Sequence, residues 1–99
     1  MAEVVWSPQA ISDVEAIRAY IGRDSVHYAQ LVVNRLIAAV ERAGSFPESG
    51  RIVPEVGDAA IREILWRSYR VVYRMRGSEV QVVTVFHGAM LFPREPSSG

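Results

Sequence analysis

The stretch Ile61–Gly88, IREILWRSYRVVYRMRGSEVQVVTVFHG, decides the fold. From Tyr69 to Met75, Tyr69, Val71, Tyr73 and Met75 alternate with Arg70, Val72, Arg74 and Arg76. Period two is the mark of a strand with two unlike faces. Gly77-Ser78 interrupts it, and a glycine first in a two-residue connection suits a hairpin turn that needs positive φ. An uninterrupted register from that turn sets Arg76 against Glu79, Arg74 against Gln81, Val72 against Val83, Arg70 against Val85, and His87 opposite Ser68. One face is then Tyr69, Val71, Tyr73, Met75, Val80, Val82, Thr84 and Phe86, a core face. The other carries Arg70, Val72, Arg74, Arg76, Glu79, Gln81, Val83, Val85 and His87, and it is the place to look for chemistry or recognition.

Working outward, Glu3–Trp6 reads as a short strand. Ser7-Pro8 opens a helix, with serine as N-cap and proline at the first helical position. Ala10, Ile11, Val14, Ile17 and Ile21 recur at helical spacing, and Gly22 ends the run. Ser25 caps a second helix whose apolar face is Ala29, Val32, Val33, Leu36, Ile37 and Val40, with Gly44 at its C-terminal end. The short link makes the pair an antiparallel hairpin. Ser45–Gly50 is a turn-rich connection. Arg51-Ile52-Val53 is a brief strand stopped by Pro54, and Ile61–Trp66 is the strand before the hairpin. The expected fold class is α+β in two layers: an N-terminal strand, an antiparallel helical hairpin, then an antiparallel sheet. Phe86, Val71 and Val82 are expected to pack on the helices at Ile11, Val14, Leu36 and Val40. Residues 1–92 read as a single domain and 93–99 as a flexible tail.

The chain has 99 residues, of which 49% are apolar, enough for one domain with its own core. It has no cysteine, so no disulfide framework or thiolate metal site. No apolar run approaches the ~20 residues of a bilayer span, and MAEVVW lacks the pattern of a signal peptide. The expectation is a cytoplasmic protein without membrane contact. Eleven acids balance eleven bases, and all of those bases are arginine. The balance is uneven, since residues 61–76 hold Arg62, Arg67, Arg70, Arg74 and Arg76 against Glu63 alone. A local basic patch on a neutral chain suits a specific anionic partner, although arginine stems covering a solvated sheet face would account for the same charges.

No phosphate-binding glycine loop or dinucleotide fingerprint occurs. His27 and His87 fall on different elements without carboxylates at metal spacing, so no metal and no cofactor are expected. Ser68 and His87 have neither an orienting third group nor an oxyanion hole for hydrolysis. His87 among arginines has a place in phosphodiester chemistry, as a proton-transfer group beside guanidiniums that hold the phosphate. A strand-end histidine bonded to a loop carbonyl is the plainer alternative.

The segments WSPQAISDVEAIRAYI, FPESGRIVPEV, IREI, YRVVYRM and VVTVFHG, in this order and at these spacings from Trp6 to about Phe92, resemble the RelE/ParE toxin superfamily of type II toxin–antitoxin systems. The resemblance implies a compact toxin with its N-terminal strand beside the last one, neutralised in a hetero-oligomer with a cognate antitoxin. It also implies one of two activities. ParE-like members poison DNA gyrase. RelE-like members act with the ribosome to cleave mRNA. The chain has no lysine and no tyrosine after its last strand, and the segments around Gly50-Arg51 and Tyr69–Arg74 look more ParE-like. On that reading the partner-binding residues are Arg62, Trp66, Arg67, Arg70, Arg74, Arg76 and the run Met90-Leu91-Phe92. On the RelE-like reading the catalytic set is His87, Arg70, Arg74 and Arg62. An inactive relative retained for binding is the third possibility. Whichever holds, the antitoxin is expected to be acidic where it meets Arg67, Arg70, Arg74 and Arg76.

Overall fold

A computed structural model describes residues 2–88 of the chain. Met90, Leu91, Phe92 and the tail 93–99 lie outside the described residues. The elements are β1 (Glu3–Trp6), α1 (Pro8–Gly22), α2 (Val26–Ser45), β2 (Arg51–Ile52), β3 (Ile61–Trp66), β4 (Tyr69–Arg76) and β5 (Glu79–His87). They form one five-stranded sheet in the order β1-β5-β4-β3-β2. β1 runs parallel to β5 and the other pairs are antiparallel. The fold is α+β in two layers, the helical hairpin covering one face of the sheet.

Both helix starts follow their sequence signals. Ser7 Oγ accepts from Ala10 N at 3.0 Å with Pro8 in the first turn, and Ser25 Oγ accepts from Tyr28 N at 3.0 Å. The main core lies between helices and sheet: Ala10 and Val14 of α1, Val32, Val33, Leu36 and Val40 of α2, and Val71, Val82 and Val85 below them. Two residues expected in the helical stripe are outside it. Ile11 is 52% and Ile37 39% exposed, because each sits at the edge of an arc that turns past the sheet. Gly44 lies inside the last turn of α2 and does not terminate it. A Cβ there would come within 2.6 Å of Val4 Cγ2, so the glycine lets the helix approach β1.

The β4–β5 hairpin departs from the uninterrupted register at one point. Gly77 takes φ +58 in the turn, and Arg76↔Glu79 and Arg74↔Gln81 pair as expected. Tyr73 pairs with Val82, but Val72 pairs with Thr84, so Val83 is an extra residue in β5. One extra residue sends every later side chain to the opposite face. Val85 therefore enters the helical core, and His87 stands opposite Tyr69, not Ser68, so its side chain shares the face of Tyr69 and leaves the face of Arg70 and Arg74 on which the uninterrupted register had set it. Phe86 is buried, yet on the far face with Val53 and Val72, so its expected packing against the helices does not hold. Asp13 of α1 covers the exposed edge of β5 beyond β1: its Oδ2 accepts from Val85 N at 3.0 Å and from Thr84 Oγ1 at 2.5 Å.

Candidate functional site

The far face of the sheet holds a charged network in place of a row of free arginines. On β3, Ile61, Glu63 and Leu65 point away from the helices. On β4, Arg70, Val72 and Arg74 do the same. Glu63 pairs with Val72 and Leu65 with Arg70, so Glu63 and Arg70 are diagonal neighbours across two strands. Arg70 Nε donates to Glu63 Oε1 at 2.6 Å, and Arg51 Nε donates to Glu63 Oε2 at 2.6 Å. The remaining edge of the Arg70 guanidinium forks onto Glu55, with Nη1 to Oε2 at 2.8 Å and Nη2 to Oε1 at 2.7 Å. Its carbon lies 5.2 Å from the centroid of the Phe86 ring. The Glu63 side chain is completely buried, and that of Arg70 is 11% exposed. The hydrogen bonds from Arg70 hold the Glu55 carboxyl at about 2, well below the usual carboxylate range, and the two carboxylates raise Arg70 further above its ordinary value.

Where β3 turns into β4, Arg67 and Ser68 form a tight connection with Arg67 at φ +52, the only non-glycine residue with positive φ among those described. The Arg67 guanidinium lies 5.3 Å from the Trp66 ring. Trp66 and Tyr69 stack at 6.4 Å, and His87 meets Tyr69 edge-on at 5.4 Å. Burial pushes the Tyr69 hydroxyl pKa up, and the nearby Tyr28 and Tyr20 push it further. A cleft of about 370 Å³ opens at this end of the sheet, lined by Arg51, Leu65, Arg67, Ser68, Tyr69, Arg70, His87 and Gly88.

Of the residues singled out in the sequence, Arg67, Arg70 and His87 line the cleft, His87 with its ring against Tyr69 and Arg70 on the opposite face of the sheet. Trp66 stands beside the cleft on the other face of β3. Arg62 is elsewhere: its Nη1 donates to Gly50 O at 3.0 Å and Glu48 O at 3.3 Å, and its Nε to Ala59 O at 3.0 Å, binding two loops together. Arg74 and Arg76 are exposed further along β4, and Arg74 is roughly 13 Å from Arg70 at strand spacing. Sequence reasoning did not single out Glu55, Glu63 and Arg51 as members of the network. The available signal was Glu63 itself, a lone carboxylate in an apolar strand among arginines. Tyr73 holds the neighbouring loop: its hydroxyl donates to Pro47 O at 2.6 Å and accepts from Gly50 N at 3.1 Å. Among the described residues no three His, Asp or Glu side chains gather as metal ligands would, and no helix is long and apolar enough to cross a membrane.

The profile of the family described as "ParE toxin of type II toxin-antitoxin system, parDE" matches residues 4–92. The chain belongs to the ParE toxin family. Its relatives agree. "Toxin RelE2" of Caulobacter vibrioides is 36% identical over 92 residues, covering 92% of this chain and 100% of that protein. "Putative toxin Y4kP" of Sinorhizobium fredii is 29% identical over 91 residues, covering 90% of this chain and 91% of its own. The structure of the chromosomal ParDE system from P. aeruginosa superposes with a TM-score of 0.72 at 21% identity, over 88% of this chain and 96% of that one, and so shares the fold. The protein is thus the toxin of a type II toxin–antitoxin system of the RelE/ParE superfamily, and an antitoxin is its partner.

Proposed function

We propose that the toxin acts in the cytoplasm by binding DNA gyrase and blocking its turnover, without cutting RNA. The observation that carries this reading is the bonding of Arg70, the central arginine of the catalytic set that the RelE-like reading requires. One edge of its guanidinium is bonded to buried Glu63 and the other is taken bidentately by Glu55. A guanidinium so occupied has no fork left to grip a scissile phosphate. Arg62 is likewise committed to backbone carbonyls, and Arg74 stands well away along the strand. What remains is a surface suited to recognition.

A second reading has one observation in its favour. His87, Arg67 and Arg70 all line the cleft, His87 from the Tyr69 side and Arg70 from the far face, and displacement of Glu55 together with a turn of His87 around the strand end would supply the parts of a ribosome-dependent mRNA interferase. The two are separated by assaying purified toxin for inhibition of gyrase supercoiling and for ribosome-dependent mRNA cleavage, and by expressing His87→Ala without antitoxin. The gyrase reading expects supercoiling to stop, mRNA to stay intact and His87→Ala to remain toxic. Cleaved mRNA together with a harmless but folded His87→Ala would replace it with the nuclease reading, since loss of a general base costs about 10²–10⁴-fold. Neither reaction, with antitoxin binding intact, would identify an inactive binding module.

A further inference from the structure

The helical hairpin and the β3–β4 turn meet at one end of the molecule, and their meeting exposes an unusual set of side chains. Tyr20, at the end of α1, is 71% exposed, and Tyr28, in the first turn of α2, is 46% exposed. Ile17 and Ile21, flanking Tyr20, pack against the same core cluster as Trp66 and Tyr69, and Tyr69 stacks with Trp66. Arginines lie over two of these rings: Arg23 is 5.8 Å from the Tyr20 centroid and Arg67 5.3 Å from that of Trp66. Neither arginine forms an ion pair among the described residues, in contrast to Arg18, Arg51 and Arg70. Asp24 is the one carboxylate in the helix-to-helix turn.

We propose that this aromatic end, Tyr20, Arg23, Tyr28, Trp66, Arg67 and Tyr69, is the surface with which the toxin meets its protein target. On the reading above that target is gyrase, and the inference rests on that reading. Tyrosine, tryptophan and arginine are the residues that dominate interface energies. The exposed parts of the four rings amount to on the order of 300 Å², the centre of a patch that a standard interface of about 800 Å² per partner would complete with a polar rim. The chemistry also suits a partner met from solution. Tyrosine hydroxyls and ring-stacked arginines keep the patch wettable while it is free, whereas permanently covered interfaces are more purely apolar. Arg23 and Arg67, without ion pairs among the described residues, set the complement: an apolar slot bordered by carboxylates. The Arg67 backbone adds a mark of its own. A non-glycine residue held at φ +52 carries a conformational cost, and such costs are retained where a side chain has to be presented in a particular direction.

Arg67→Gly is the informative variant, because glycine accepts this φ freely while the guanidinium is lost. Tyr28→Ser is its companion at an exposed position. Each is compared with wild type for half-inhibition of gyrase supercoiling, for growth arrest on induction, for antitoxin affinity by calorimetry, and for Tm. The expected result is a tenfold or greater rise in the half-inhibitory concentration for each variant, with loss of growth arrest. Antitoxin affinity should stay within twofold for Tyr28→Ser, which lies outside the arginines expected to meet the antitoxin, and the Arg67→Gly Tm should not fall. Unchanged inhibition in both variants would overturn the proposal. So would a loss of antitoxin affinity in Tyr28→Ser at constant inhibition, which would make this end the antitoxin's seat. Wild-type toxin that arrests growth without inhibiting gyrase would overturn the gyrase reading alone. The growth-arrest arm then decides the surface: arrest lost in the variants upholds it as the face for another target, and arrest retained overturns it.

Discussion

Arg70→Ala tests the buried network most directly. The substitution removes the Nε bond to Glu63, both bonds to Glu55 and the guanidinium stacked on Phe86. Glu55 is 41% exposed at its side chain and turns to water at little cost. Glu63 cannot, because its side chain has no exposure and keeps only Arg51, itself 55% exposed. Removing one partner of a buried pair costs about 3–5 kcal/mol, most of it the penalty on the charge left behind. For a domain of this size that corresponds to a fall in Tm of roughly 12–40 °C, at about 4–8 °C per kcal/mol. It is a large part of the ~5–15 kcal/mol by which domains are stable. Thermal unfolding followed by circular dichroism at neutral pH reads the effect. The double variant Arg70→Met with Glu63→Leu should recover most of the loss, since apolar groups of similar volume leave no orphaned charge. A Tm for Arg70→Ala within about 3 °C of wild type, less than 1 kcal/mol by the same conversion, would refute the network as a stabilising element. A large fall has a consequence for function: loss of toxicity in an Arg70 variant is evidence for catalysis only if the variant is shown to be folded.

The other expectations concern stability around the site. Phe86→Ala should cost about 3–5 kcal/mol, and a double-mutant cycle places the ring: it should couple to Val53→Ala and be additive with Leu36→Ala, whereas coupling to Leu36 would return Phe86 to the helical core. Gly50→Ala should destabilise by about 1–3 kcal/mol in denaturant titration, because its Cβ would sit 2.5 Å from the Tyr73 hydroxyl and 2.8 Å from Glu63 O; an unchanged midpoint would contradict that packing. Glu55 has a folded-state pKa of about 2, below its ordinary value of 4.5, so its contribution is fully present above pH 4.5 and is lost as pH falls towards 2. Acid titration of Glu55→Gln should show a smaller loss of stability over that window than wild type, and identical curves would separate Glu55 from Arg70.

Much of this architecture was legible because local rules decide it. Ser7-Pro8 and Ser25 start helices through bonds to residues three positions away, and alternation from Tyr69 to Arg76 makes a strand wherever a core exists to receive it. The resemblance of the ordered segments was enough to anticipate β1 lying beside β5. The identity of the second sheet face was not legible. Val83 is a valine among valines, and nothing local marks it as the residue left over when Tyr73 pairs with Val82 and Val72 with Thr84. That choice belongs to the packing of Val85 beneath the helices and Phe86 against Val53, contacts between residues far apart in the chain. The arginines follow the same logic. Their number and signs are in the sequence, and they suggested a free basic face. Only the juxtaposition of three strands and a loop shows Arg70 neutralised by Glu63 and Glu55, Arg62 spent on carbonyls, and Arg67 left to stack on Trp66. Charge is a property of a residue, whereas availability of charge is a property of its neighbours, and neighbours are set by the tertiary fold.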